Sequence, residues 1–515
     1  MRILEILILA ILLPGFGSLF VAPQKRSHWL RYLPGLGAVF IALHLLMEGY
    51  RWQMVPAYAL TTAFVVPLAW RFAQQGHLSS ELRGPPAASR WRTALRITGA
   101  LIGVLVFGLA ALIPVAMPVF KLPEPTGQFR VGTTRFSLVD SSRPETFTAD
   151  PSDQRELLIQ AWYPAEPSAN SGPERLWGYP REIGSRLALS LDLPRFLFDH
   201  FDLVRTHSHR DAAIAAARSS YPVLLFSHGY NQGMPPQNTV QMEELASHGY
   251  IVVSIGHSYE SLVLIHPGGK TVTVSEQQMQ RVRQESGPTG PLVERLMTSK
   301  DVVDRARLLQ QLSEADSVLN ASVAIWVADT SFVLDELAGR EGTAVPRDFA
   351  RRLDMTRVGV FGMSFGGTVA TDVCLLDSRC RAGINLDGLQ YGLTGSPGSA
   401  LKVPFMFMTS ESAGLMNEPV FQRARNDAWY LIVIGSTHFN YSDFSLISPV
   451  FRTLGLLGPI EGRRMEQIMN AYIRSFFDQT LMGGDSSLLK GASADYPEVI
   501  FRAHAGADAL QGTHE

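Results

Sequence analysis

The stretch Arg357-Val358-Gly359-Val360-Phe361-Gly362-Met363-Ser364-Phe365-Gly366-Gly367 decides how the rest of the chain is read. The apolar run Arg357–Phe361 reads as a short buried strand, and the small-residue stretch Gly367–Leu376 reads as a helix. Only a sharp strand-to-helix turn fits between them, with a serine at its tip. Glycines two positions before and two after the serine remove side chains that would collide in such a turn, leaving the Ser364 hydroxyl exposed for attack. A bare Gly-x-Ser-x-Gly is weak evidence, because both residue types are common. The strand–turn–helix context is what makes Ser364 a candidate nucleophile.

Outward from this turn, apolar runs of strand length alternate with helical stretches. The strands are expected at Leu157–Trp162, Pro222–Ser227, Tyr250–Ile255, Ala382–Asn385, Val403–Thr409 and Trp429–Ile434. Helices are expected at Gln241–Ser247, Ala321–Leu337 and Gly462–Phe477. This alternation predicts an α/β fold with a mostly parallel sheet covered on both faces. Residues 174–215 and 259–318 break the pattern, and long excursions of this kind commonly cap a site.

A serine nucleophile needs a base, held in turn by an acid. After Ser364 the histidines are His438, His504 and His514. His438 follows the strand Trp429–Ile434 directly, where a loop can bring it over the C-terminal sheet edge. His504 and His514 lie near the end of the chain. For the acid, Asp387 follows Ala382–Asn385 and Glu411 follows the next strand; Asp377 and Asp443 are further candidates, and spacing alone favours Asp387 over Glu411 without excluding it. The oxyanion of a reacting ester needs two amide donors. The Phe365 amide, just after the serine, and the Tyr230 amide, in Ser227-His228-Gly229-Tyr230 after an early strand, fill that role. His228 reads as a supporting residue.

These motifs together resemble the plasma-type platelet-activating factor acetylhydrolases, a branch of the α/β-hydrolase superfamily close to the dienelactone hydrolases. The landmarks are Trp162-Tyr163-Pro164, Phe226-Ser227-His228-Gly229, Leu245-Ala246-Ser247-His248-Gly249-Tyr250, Gly362–Gly367 and Leu386-Asp387-Gly388, spread from about Gly132 to Phe477. The resemblance implies the α/β-hydrolase fold and Asp387 as the acid, with Ser364 and His438 completing a triad and Tyr230 and Phe365 as oxyanion donors. It also implies hydrolysis of short acyl groups from phospholipids or related lipid esters through an acyl-enzyme. Met363 stands where a histidine is commoner, the loop Asn231–Asn238 differs, and residues 259–318 match no landmark. These departures bear on the substrate. A polyester-, cutin-type or general carboxylesterase shares the same triad, and a membrane sensor with an inactive hydrolase-like domain is the alternative of another class.

The overall hydrophobic content of 46% conceals a split. Residues 1–121 are dominated by four apolar stretches, Ile3–Ala22, Leu33–Met47, Met54–Trp70 and Ile97–Val119, which predict an N-terminal membrane domain of about four spans. Lys25, Arg26 and Arg31 follow the first stretch, and Arg71, Arg83, Arg90, Arg92 and Arg96 follow the third. The positive-inside rule then places both links in the cytoplasm and the catalytic domain outside it. The expected organisation is 1–121 membrane, 122–481 catalytic and 482–515 a loosely ordered tail. A net charge of −2 gives no reason to expect nucleic acid. The two cysteines, Cys374 and Cys380, cannot build a structural zinc site. They are either a local disulfide or buried thiols. His207-Ser208-His209 is a poor metal motif, so no metal or cofactor is expected.

Overall fold

The computed structural model describes the chain except for residues 18–27, 75–89, 167–171, 340–343, 397 and 507–515. The strands are β1 (Arg130–Pro144), β2 (Gln154–Glu166), β3 (Pro173–Arg175), β4 (Arg205–Arg210), β5 (Ala213–Ile214), β6 (Tyr221–Ser227) and β7 (Ile251–Gly256). They continue as β8 (Val263–Ile265), β9 (Thr271–Thr273), β10 (Leu353–Met363), β11 (Cys380–Leu386), β12 (Phe405–Ser410), β13 (Ala428–Val433) and β14 (Val499–His504). Among the described residues, one sheet runs in the order β14-β13-β12-β11-β10-β6-β7-β2-β1-β4-β3, with β5 on β2. The stretch from β7 through β6 to β13 is parallel throughout. β2 and β14 add antiparallel flanks. Every residue of β6, β7, β12 and β13 is buried, as expected of strands packed on both faces.

The helices that matter here are α1 (Ile3–Gly17), α2 (Leu33–Met47), α3 (Val55–Gln74), α4 (Arg90–Ala116), α5 (Thr239–Ser247), α6 (Glu276–Ser286), α7 (Gly290–Thr298), α8 (Val302–Ala315), α9 (Ser317–Leu337), α10 (Phe365–Leu376) and α11 (Gly462–Met482). Helices α9 and α10 cover one face of the sheet with Leu225, Val253 and Val360. Helices α5 and α11 cover the other with Leu224, Val252 and Phe361. A disulfide joins Cys374 in α10 to Cys380 in β11, which resolves the two readings of that pair.

The described residues fall into two compact units. The larger contains the sheet. The smaller comprises Met1–Phe120 with Phe196–Val204 and Ile447–Val450. In the smaller unit α1–α4 occupy the four apolar stretches. Charged groups buried there are paired: Arg2 Nε lies 2.8 Å from Glu5, Arg51 lies 3.3 Å from the same carboxylate, and His44 contacts Glu48 at 3.0 Å. Arg51 also donates to the Pro114 carbonyl at 3.0 Å, tying α4 to the set.

Fifteen residues of the first apolar stretch form α1, and 18–22 lie outside the described residues. Among the described residues, only Ile97–Ala116 and α9 are long and apolar enough to span, and half of the α9 window is buried in the sheet-containing unit. α9 is therefore a core helix. Lys25, Arg26 and Arg83 lie outside the described residues. The segment after Met482, expected to be loose, contains β14, because Val499, Ile500 and Phe501 supply a strand-like edge partner for β13.

Asp443 stands in the segment after His438 and caps α5, accepting the Thr239 amide at 2.8 Å and the Val240 amide at 3.2 Å. Glu243 and Glu466 are buried nearby, and Gln241 donates to Glu466. Burial, reinforced by the charge of Glu243, pushes the Asp443 carboxyl up to about 8. A carboxyl raised in the folded state binds a proton that the unfolded chain has released. Its contribution is therefore present in acid and lost as pH rises through the folded value. The melting temperature is expected to fall between about pH 5 and about pH 8. Asp443→Asn, which keeps an oxygen acceptor, should flatten that fall; differential scanning fluorimetry across pH checks it, and an unchanged slope would refute the assignment.

Candidate active site

The turn at Ser364 depends on backbone approaches that no side chain permits. A Cβ on Gly362 would stand 2.1 Å from the Gly366 carbonyl oxygen, and one on Gly366 would stand 1.9 Å from that of Ser227. Ser364 itself has φ 57° and ψ −124°, a conformation costly for a residue with a side chain. Its amide donates to the Leu386 carbonyl at 2.8 Å, which fixes the turn against β11.

Three sequence candidates converge here. His438 Nε2 lies 2.9 Å from Ser364 Oγ, and His438 Nδ1 lies 2.7 Å from Asp387 Oδ2. Asp387 is buried and also has positive φ, 53°. Its carboxylate accepts the Ser410 amide at 2.6 Å and the Ser410 hydroxyl at 3.1 Å, so both oxygens are oriented. His438, by contrast, is partly open to solvent, its side chain 42% exposed. Among the other acid candidates, Glu411 accepts the Gly435 amide at 2.7 Å and so steadies the turn leading to His438. Asp377 pairs with Arg379 at 2.6 Å, and Asp443 caps α5.

Phe365 opens α10, so its amide has no acceptor within the helix. Tyr230 sits in the loop after β6, and its ring packs on that of Phe365 with centroids 4.8 Å apart. This loop is held by groups that the sequence reading did not single out. The Tyr230 hydroxyl donates to Glu260 at 2.7 Å, and the Asn231 amide donates to the Glu260 carbonyl at 2.9 Å. Ser322 and the Trp326 indole, both on α9, donate to the same carboxylate at 2.5 and 2.7 Å. Burial pushes the Glu260 carboxyl upward. Behind it His257 lies flat on Trp326, centroids 3.8 Å apart, and donates from Nδ1 to Asp329 at 2.9 Å. Burial works against the Asp329 charge, but Arg155, 2.7 Å away, and His257 hold its carboxyl below the usual range. Burial also brings His228 down to about 3 and His257 to about 4, keeping both rings neutral. The sequence signal for this support was present: His257-Ser258-Tyr259-Glu260 directly follows β7.

Gln237 links the two donor segments. It accepts the Gly229 amide at 3.0 Å, and its side-chain nitrogen lies 3.0 Å from Met363 Sδ. Ser364 and His438 open onto a cavity of about 370 Å³. Its other walls come from α6, α7 and the loops after β11 and β12, including Val282, Met297, Leu389, Tyr391 and Met416. The insertion at 259–318 thus supplies part of the roof. His207 Nε2 lies 3.3 Å from the Leu122 carbonyl, and His504 Nε2 lies 2.8 Å from the Phe421 carbonyl. Among the described residues, only Glu5, His44 and Glu48 bring three ligand atoms close enough for a metal ion, and Arg2 and Arg51 already pair with that set.

A Ser–His–Asp hydrogen-bonded chain at the C-terminal edge of a mostly parallel sheet, layered by helices on both faces, defines the α/β-hydrolase class. A family model described as platelet-activating factor acetylhydrolase, isoform II, matches residues 115–485. The chain belongs to that family of ester hydrolases. It is 25% identical over 449 residues to a protein of Arthroderma benhamiae named "Probable 1-alkyl-2-acetylglycerophosphocholine esterase", covering 79% of this chain and 99% of that protein. It is 24% identical to the platelet-activating factor acetylhydrolase of Cavia porcellus, covering 64% of this chain and 77% of that protein. The solved ferulic acid esterase from Streptomyces cinnamoneus superposes with a TM-score of 0.57 at 25% identity, covering 75% of this chain and 99% of that one.

The two carboxylates first weighed as acid have different contacts, and their replacement should separate them. Asp387→Asn is expected to lower kcat for ester hydrolysis by roughly 10⁴-fold, because the amide no longer holds the correct His438 tautomer. Glu411→Gln, which removes only a charge on the Gly435 amide, should cost less than about tenfold. Steady-state kinetics on a chromogenic ester decides between them, and the reverse ranking would assign the acid to Glu411.

Proposed function

We propose that this chain hydrolyses carboxylic esters through an acyl-enzyme formed on Ser364. The observation carrying this reading is His438 bridging Ser364 Oγ and Asp387 at hydrogen-bonding distance beside a cavity. His438 takes the Ser364 proton as Oγ attacks the ester carbonyl, and Asp387 stabilises the resulting imidazolium. The amides of Tyr230 and Phe365 receive the negative oxygen of the tetrahedral intermediate. His438 then protonates the departing alcohol, and water repeats the sequence to release the acid. The substrate class is a short-acyl phospholipid or related lipid ester, supported by the family and by the names of the Arthroderma benhamiae and Cavia porcellus relatives.

A small-ester or general carboxylesterase is the second reading, favoured by the solved esterase neighbour and by Tyr230, Phe365 and Tyr391 in the cavity wall. An inactive sensor domain is disfavoured by the intact hydrogen-bonded chain. Full-length protein in detergent micelles should react with a fluorophosphonate probe, and Ser364→Ala should not. The same preparation should release acetate from 1-alkyl-2-acetylglycerophosphocholine faster than it cleaves feruloyl or polyester model substrates. A folded wild-type chain that resists the probe would sink the hydrolase reading; labelling with the opposite substrate ranking would favour the second.

The four apolar helices are proposed to span a membrane, with the catalytic unit on the extracytoplasmic side. The basic links support that orientation. The Cys374–Cys380 disulfide also supports it, since such bonds persist in oxidising compartments. In right-side-out membrane vesicles, added protease should digest the catalytic unit without permeabilisation. Protection until detergent is added would reverse the orientation, and release by alkaline carbonate would remove the integral membrane assignment.

A further inference from the structure

We infer that the groove beneath α7 is a second acyl subsite, so that the enzyme takes linear acyl chains well beyond acetyl. This rests on the hydrolase reading of Ser364. A second cavity of about 470 Å³ adjoins the one at Ser364 and shares Ser286, Met297, Tyr391 and Ser412 with it. Beyond these four the outer compartment is bordered by Thr289, Gly290, Val293, Glu294 and Thr298, all on α7 or the turn before it. The two compartments adjoin along Ser286, Met297, Tyr391 and Ser412, so the outer one lies next to the cavity at Ser364 on the α7 side.

The occupant follows from chemistry and placement. An acetyl group fills only the space next to Ser364 Oγ and leaves the apolar wall of Val282, Leu319, Leu389 and Met416 in contact with water. A longer alkyl chain removes that wall from water, and each buried methylene improves binding roughly fourfold at best. The acyl group is the part of the substrate that stays bonded to Ser364 while the alcohol leaves, so it is the part held against these walls through both halves of the reaction. At the outer end the lining adds Thr289, Thr298 and Glu294 around Val293, which suits a chain end near solvent. Met297 is partly exposed, 37%, and stands on the shared boundary. It is a flexible apolar side chain able to yield to a passing chain. Both α6 and α7 belong to the insertion at 259–318, which builds this part of the roof.

The test is the acyl-length profile of full-length protein in detergent micelles, measured below the critical micelle concentration of each ester. p-Nitrophenyl acetate, butyrate, octanoate and dodecanoate share one leaving group and vary only the acyl chain. Wild type should show kcat/KM for octanoate at least equal to that for acetate. Val293→Trp, which fills the outer compartment, should lower the dodecanoate-to-acetate ratio at least tenfold. Met297→Ala should raise that ratio, which guards against a misleading loss of fold in the tryptophan variant. A profile that falls steadily from acetate in wild type, or ratios unmoved by both substitutions while Ser364 still takes a fluorophosphonate, would overturn the subsite alone. Length dependence that appears instead in a series of acetates of longer alcohols would assign the groove to the leaving group and equally overturn it. Failure of the folded wild type to take the probe would remove the hydrolase reading and the subsite together.

Discussion

The contact between the first turn of α10 and the end of β6 is the constraint on which the site is built. Gly366 lies so near the Ser227 carbonyl that a methyl group has no room. Because the helix begins there, Ser364 is thrown into its positive-φ conformation at the rim of the sheet. The same contact fixes the distance between Phe365 and the Ser227–Tyr230 loop, the two segments that carry the amide donors. β11 is drawn into the same arrangement, since the Ser364 amide is tied to Leu386 and Asp387 follows one residue later. Ser364, Phe365, Tyr230 and Asp387 are thus placed by neighbouring parallel strands, and only His438 depends on a longer loop. That loop is fastened independently, by Glu411 on Gly435 and by the Thr437–Asn440 cap.

Behind the donors lies a buried polar assembly of Glu260, His257, Asp329 and Arg155. Buried charges of this kind contribute little net stability when paired, yet are costly to break. Their value here is geometric. Glu260 accepts from Tyr230 and α9 through its side chain and from Asn231 through its backbone, so the loop proposed to offer an oxyanion donor is anchored to α9. A preorganised donor needs no reorganisation when charge develops on the substrate. The neutral state of His228 and His257 keeps further positive charge away from this assembly, leaving the partly exposed His438 as the histidine in contact with the serine.

Much of this was legible in the sequence. Parallel strands buried on both faces appear as unbroken apolar runs, so β6, β7, β10, β12 and β13 were found within a residue or a few. Residue types with a single chemical purpose, such as Ser364 between glycines and His438 just past a strand, were legible as well. Less was visible where the meaning of a residue depends on a distant partner. Glu260 looks like a surface carboxylate until α9 folds over it, and Asp329 looks like a polar interruption in an apolar helix. β1 was missed because its burial is irregular along fifteen residues, and β14 because its exposed Arg502 and Ala503 hide a strand with one paired edge. The roof formed by α6 and α7 was marked as an excursion, but its lining depends on which face each helix turns inward.

The pairing of β14 with β13 has a consequence for the behaviour of the chain in a crowded solution. β13 reads Ala428-Trp429-Tyr430-Leu431-Ile432-Val433, a β-prone run without charge or proline. Left open, its edge would present a ladder of unpaired amides and carbonyls to any other strand, the arrangement from which intermolecular sheets grow. β14 occupies that ladder, and its Arg502 and His504 tie it down through Glu418 and the Phe421 carbonyl. The strand that leads to His438 is therefore shielded from self-association by a short, late segment of the chain that stands apart from the lining of the cavity at Ser364.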